Sequence, residues 1–181
     1  MPKFLLIFFL VCILALSACG AESDTASPEK MTPETLSSLI QKFDENAKIG
    51  ANNVAFTLNE RELFLVYDKN ADRMRIILPV AQSVIASEDI LIRMLQANYD
   101  AVLDVRYAMA NDIIWAVFIH PLSSLTQEDF LSGVAQTVTA AETFGTSYTS
   151  GALVFGGGDS NSIHEDLLKA LEKATETRKK I

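Results

Sequence analysis

The chain has 181 residues, 49% of them hydrophobic, with 15 basic against 23 acidic side chains and a net charge of −8. That length accommodates one domain with a core of its own. The acidic balance repels phosphate backbones and argues against nucleic acid as a partner.

The first predicted element is an apolar run, Phe4 to Leu16, preceded by Lys3. A positive start, an apolar stretch and small residues ahead of a cut are the parts of a signal peptide. The run falls short of the about 20 apolar residues of a transmembrane span. It closes on Leu16-Ser17-Ala18-Cys19, which resembles the lipobox of bacterial lipoproteins, where a signal peptidase cuts before a lipid-modified cysteine. A thiolate is the strong nucleophile that accepting a lipid group requires. The resemblance implies a signal peptide over residues 1–18, lipidation of Cys19 by palmitate-type chains, and anchorage to a membrane of the bacterial cell envelope. An Asp after the cysteine tends to retain such proteins in the inner membrane; Gly20 stands there instead, which favours the periplasmic face of the outer membrane. Removing residues 1–18 leaves 163 residues with 14 basic and 23 acidic side chains, a balance of −9. Cys12 leaves with the leader and Cys19 is taken by lipid, so no thiol remains for a disulfide, a nucleophile or a zinc site.

Residues 19–31 are small and polar and read as a flexible tether. Counted over residues 20–32, a coil of that length spans roughly 20 Å end to end. Thr32-Pro33-Glu34 then supplies a cap, a proline for the first helical position and an acid for the first turn. Leu36, Leu39, Ile40 and Phe43 follow at helical spacing, and the helix is expected to end near Ile49-Gly50. Three strands come next: Val54-Phe56-Leu58 in alternation, Glu62 to Tyr67, and Met74-Ile76-Leu78 ahead of Pro79. The turns between them, Asn59-Glu60-Arg61 and Asp68 to Asp72, are short enough to make an antiparallel meander.

Ser87-Glu88-Asp89 caps a second helix whose buried face is expected to carry Ile90, Leu91, Met94, Leu95 and Asn98. Two strands follow, about Ala101 to Met109 and Ile113 to Leu122. The second is apolar on both faces, with Ile113, Trp115, Val117 and Ile119 on one and Ile114, Ala116 and Phe118 on the other, as a central or covered strand requires. Thr126 to Asp129 caps a third helix reaching about Phe144, with Phe130, Val134, Thr137, Val138 and Ala141 as its buried stripe. Residues 146–161 turn to Gly, Ser and Thr and read as a linker with a strand at Gly151 to Phe155. Ser162 and Glu165 form a capping box for a C-terminal amphipathic helix, residues 162–181, with Leu167, Leu168 and Leu171 apolar and a basic Arg178-Lys179-Lys180 end.

The predicted fold class is therefore α+β, a five-stranded antiparallel sheet in the order α-β-β-β-α-β-β-α over residues 32–145, plus the C-terminal helix. That order resembles the type III secretion chaperones and their YbjN-type relatives. The local similarity is carried by Ile77-Leu78-Pro79 at a strand end, by Leu95-Gln96-Ala97-Asn98-Tyr99 closing the second helix, and by Leu125 to Phe130 entering the third. The resemblance implies a small, usually homodimeric module that binds extended segments of partner proteins without ATP and without a cofactor.

The acidic pairs Glu88-Asp89, Glu128-Asp129 and Glu165-Asp166 are read as first-turn charges complementing helix dipoles, not as catalytic carboxylates. His120 and His164 stand apart in sequence, without the neighbouring His or Cys that a metal site needs. Gly156 to Ser160 lacks the lysine of a phosphate-binding loop, and no GxSxG elbow occurs. The surplus of apolar residues is more informative. Phe64, Val66, Trp115, Val117 and Ile119 offer a second apolar sheet face, to be covered by a protein or peptide partner, by a second copy, or by the last helix. The expected function is a lipid-anchored, non-catalytic, protein-binding domain. The rivals are a structural envelope lipoprotein with a permanent partner and a hydrolase or transferase using the C-terminal Ser, Asp and His residues.

Overall fold

The computed structural model describes residues 31–145 and 160–177. The expected signal peptide, Cys19, the tether up to residue 30, the strand at 151–155 and the basic end at 178–180 lie outside the described residues. Met31, at the end of the expected tether, is buried in the core.

Helix α1 (Pro33–Phe43) starts as its sequence demands: the Thr32 hydroxyl accepts from the Thr35 N–H at 3.1 Å, with Pro33 at the first turn. It stops earlier than Ile49, because Asp44 takes an extended conformation and its carboxylate accepts from the N–H groups of Asn46 and Thr57 at 2.9 and 2.7 Å. The residues freed by that turn, Lys48–Ile49, become a strand, β1. It is followed by β2 (Asn53–Leu58), β3 (Arg61–Asp68) and β4 (Arg73–Gln82), then by helix α2 (Glu88–Asp100), β5 (Arg106–Ala110), β6 (Ile113–His120), α3 (Gln127–Glu142) and α4 (Ser160–Thr177). Among the described residues the sheet thus has six strands, not five, in the order β1-β2-β3-β4-β6-β5, with every neighbouring pair antiparallel.

The turns explain the register. Leu58 pairs with Arg61 across Asn59-Glu60, and Ala110 with Ile113 across Asn111-Asp112. All four loop residues have φ between 49° and 61°, the left-handed backbone whose twist matches that of the flanking strands. Strand β4 runs on through Pro79 to Gln82 rather than stopping before it. The register shifts between Pro79 and Ala81, and a bulge is where a residue without an N–H is tolerated. Strand β5 is shorter than predicted, Ala101 to Val105 being turn.

The inward sheet positions, among them Val54, Phe56, Leu63, Leu65, Met74, Ile76, Leu78, Ile114, Ala116 and Phe118, are buried under the helices. Helix α3 packs on β4 and β6, and α4 packs in turn on α3 and α1. With sheet on one side and helix on the other, α3 is buried from Phe130 to Ala141 at every residue except Ser132, not along a single stripe. Helix α4 begins by Ser160, so Ser162 lies inside the helix and not at the capping position expected of it. Leu167 and Leu171 are buried as predicted, together with Thr175.

Candidate functional site

Side chains alternate across a strand, so the register decides which outward residues meet. Phe64 of β3 and Val117 of β6 both flank Ile77 of β4, and Ala55 and Arg106 continue the row on either side. Lys48 of β1 completes it opposite Ala55, so one row crosses all six strands. In the next row Val66 and Ile119 both flank Arg75. Trp115 stands between Pro79 and Ala108, and its Nε1 donates to the Ala110 carbonyl at 3.0 Å. The five residues singled out in the sequence therefore share one face. Phe64, Trp115 and Val117 are half-buried between their neighbours, Val66 is 38% exposed and Ile119 53%. Among the described residues nothing covers that part of the face.

The edges are guarded. Strand β1 is two residues long. At β5, Asn98 of α2 plays the part of a neighbouring strand: its Oδ1 accepts from the Tyr107 N–H at 2.7 Å and its Nδ2 donates to the Tyr107 carbonyl at 3.2 Å. Short edges and covered backbone groups both discourage strand addition. That leaves the face as the larger interacting surface of the sheet.

A second apolar patch was not legible in the sequence as such. Ile92, Leu95 and Tyr99 of α2 are 46%, 70% and 72% exposed, and Met109 of neighbouring β5 is 53% exposed. Leu95, expected on the buried face, points to solvent; Met94 is buried as expected, and Ala97 is buried with it. The available signal was that α2 is apolar on more than one face, with residues 92, 95 and 99 at helical spacing.

The Asp129 carboxylate accepts from the Thr126 N–H and hydroxyl in a reciprocal capping box, and that hydroxyl bond is the main reason its pKa is lowered. Glu88 and Asp89 lie in the first turn of α2, whereas Glu165 and Asp166 fall beyond the first turn of α4. His120 at the end of β6 stacks on Phe118, with Nδ1 2.8 Å from the Pro121 carbonyl oxygen. His164 lines a cleft with Val102, Leu103, Gln136, Thr139 and Thr143. Its buried Nδ1 and the Thr139 hydroxyl have no hydrogen-bond partner among the described residues, and burial lowers its pKa. Among the described residues no group of three His, Cys, Asp or Glu is placed to hold a metal, and no helix is long and apolar enough to cross a membrane.

Comparison with known proteins agrees with this architecture. No family model matches the chain, and no curated protein matches it by sequence. Among solved structures, a chain of the ExsC–ExsE complex superposes with a TM-score of 0.52 at 13% identity, over 66% of this chain and 97% of that one. A chain of the HopA1–SchA chaperone–effector complex gives 0.48 at 13% identity, over 60% of this chain and 91% of that one. A chain of the complex between the Yersinia pestis type III secretion chaperone SycH and a fragment of YscM2 gives 0.46 at 16%, over 60% and 98%. The chain thus shares its fold with the matched chain of the ExsC–ExsE complex.

Proposed function

We propose that this protein is a non-catalytic protein-binding module that receives a partner's segment on the outer face of its sheet. The observation that carries the reading is that face itself: Phe64, Val66, Trp115, Val117 and Ile119 gathered around Ile77 and Arg75, with nothing over them among the described residues. Leaving such side chains in water sacrifices about 25 cal/mol for each Å² a partner could remove from it. The guarded edges and the secretion-chaperone-like fold support the same reading. The lipobox at Leu16-Ser17-Ala18-Cys19 adds its address: a lipid-anchored envelope protein, cut before Cys19 and held at the membrane by acyl chains, with the partner coming to that surface. A second copy has its own place in this scheme. The α2 stripe Ile92-Leu95-Tyr99 and Met109 of neighbouring β5 are apolar, exposed and separate from the outer sheet face, as a homodimer contact would be.

The test is a photo-crosslinking amino acid placed at Val117 in the living cell, with Glu172 on the exposed side of α4 as the control position. A discrete partner adduct from position 117 and none from position 172 is the expected result. Equal or absent adducts at both positions would refute the reading.

A further inference from the structure

The row across the sheet, Lys48–Ala55–Phe64–Ile77–Val117–Arg106, is apolar in its four middle members and cationic at both ends. Arg75, one row over, lies between Val66 and Ile119, and it has no ion pair or hydrogen bond among the described residues. Among the described residues, the outward strand positions hold four bases, Lys48, Arg73, Arg75 and Arg106, against two acids, Glu62 and Asp68. Of those acids, Asp68 already accepts from the N–H groups of Asn70 and Ala71. The chain as a whole carries −8, so this face runs against the charge of its own molecule. A local reversal of sign around an apolar strip selects the charge of whatever docks there.

Resting on the reading that this face binds a protein segment, we infer that the segment is an amphipathic helix with an apolar stripe flanked by carboxylates. The helical form follows from the backbone. An extended chain laid flat on a sheet face finds no partners there for its N–H and C=O groups, while a helix brings its own. The size follows from the row. Six strands about 4.8 Å apart span about 24 Å, the length of a helix of about 16 residues. The charge follows from Lys48 at one end and Arg75 on one flank, and from Arg106 at the other end, whose guanidinium also donates to the Leu103 and Val105 carbonyls. A second copy placed face to face would set bases against bases. An anionic membrane would meet a molecule of net −8 whose face residues Phe64, Trp115 and Val117 are half-sunk among their neighbours.

The experiment uses the full chain in nanodiscs of neutral phosphatidylcholine and reads the emission of Trp115, the one tryptophan in the sequence, which lies on this face. A stapled helical peptide of about 16 residues with a Leu/Ile stripe and Glu flanks is titrated against the same peptide carrying Lys flanks. The Glu peptide is expected to saturate the Trp115 signal about tenfold more tightly, the worth of two or three exposed ion pairs. The gap should narrow as salt rises, and Arg75→Glu should reduce or reverse the preference. Equal binding of the two peptides would overturn the charge selection while leaving the face a binding surface. No response to either peptide, with a partner still crosslinked from position 117, would overturn the helical form but not the reading beneath it. No response together with no crosslink would sink both. A Trp115 change with protein concentration alone would assign the face to a second copy. One produced by phosphatidylglycerol nanodiscs alone would assign it to a membrane.

Discussion

Gly133 sits in the middle of α3 against the ring of Phe118, and a Cβ built there would lie 2.6, 2.7 and 2.9 Å from three ring atoms. Alanine would favour the helix by about 1 kcal/mol over glycine, but forcing a methyl into a close-packed contact costs about 1–3 kcal/mol. Phe118 is itself buried at 4% exposure between sheet and helix, so it has little room to yield. Gly133→Ala should therefore lower the urea midpoint, and the loss should shrink or change sign in a Phe118→Leu background; a raised midpoint with Phe118 in place would contradict the packing described. Single residues also show why some features were readable in advance. Thr32, Ser87 and Thr126 cap because a hydroxyl can reach an N–H within its own turn. Asn59, Asn111 and Asp112 are of the residue types that tolerate the left-handed turn backbone, whereas Glu60 takes it at φ 61° without that preference. Leu95-Gln96-Ala97-Asn98-Tyr99 signalled the fold through two of its members: Ala97 is buried and Asn98 pairs the β5 edge, whereas Leu95 and Tyr99 face water.

At the level of elements, what was not legible is what neighbours decide. Two-residue β1 exists because β2 offers it a partner, not because Lys48–Ile49 has strand character. Helix α3 is buried on nearly all sides because α4 lies on the flank that a single-stripe reading leaves to solvent. The docking of α4 carries a pH dependence. His164, ordinarily near 6.5, has its pKa lowered by burial of the ring, with Glu165 opposing. The unfolded chain therefore binds this proton more readily than the folded one, and stability falls as pH drops below 6.5 toward the folded value. Glu34, held at about 2 by its bond to Lys69, and Asp72 and Asp129, lowered by Ser123 and Thr126, act in a separate range. Their contribution is present above their unfolded values of 4.5 and 3.8 and is lost only as pH falls through the folded ones. Thermal midpoints measured between pH 7.5 and 5 should thus decline in the native chain and flatten in His164→Phe. An equal slope in both would show that the buried ring is not the titrating group.

For the whole molecule, the helices take one side of the sheet, Asn98 and a two-residue strand guard its edges, and the apolar residues of the other side stay in reach of water. Alternation in β6 announced two apolar faces, and that much was open to reading. Which residues would share the outer face with Trp115, Val117 and Ile119 depended on pairings between strands distant in sequence. The cationic ends of the row, Lys48 and Arg106, come from the two edge strands, which no local pattern places together. The central claim is that this face is open until a partner arrives, and Trp115 reports on it directly. Acrylamide quenching of the isolated full-length protein in neutral nanodiscs should reach Trp115, and quenching should fall when the partner crosslinked from position 117 is bound. A Trp115 shielded from acrylamide in the isolated protein would mean that the chain covers this face itself and that no partner docks there.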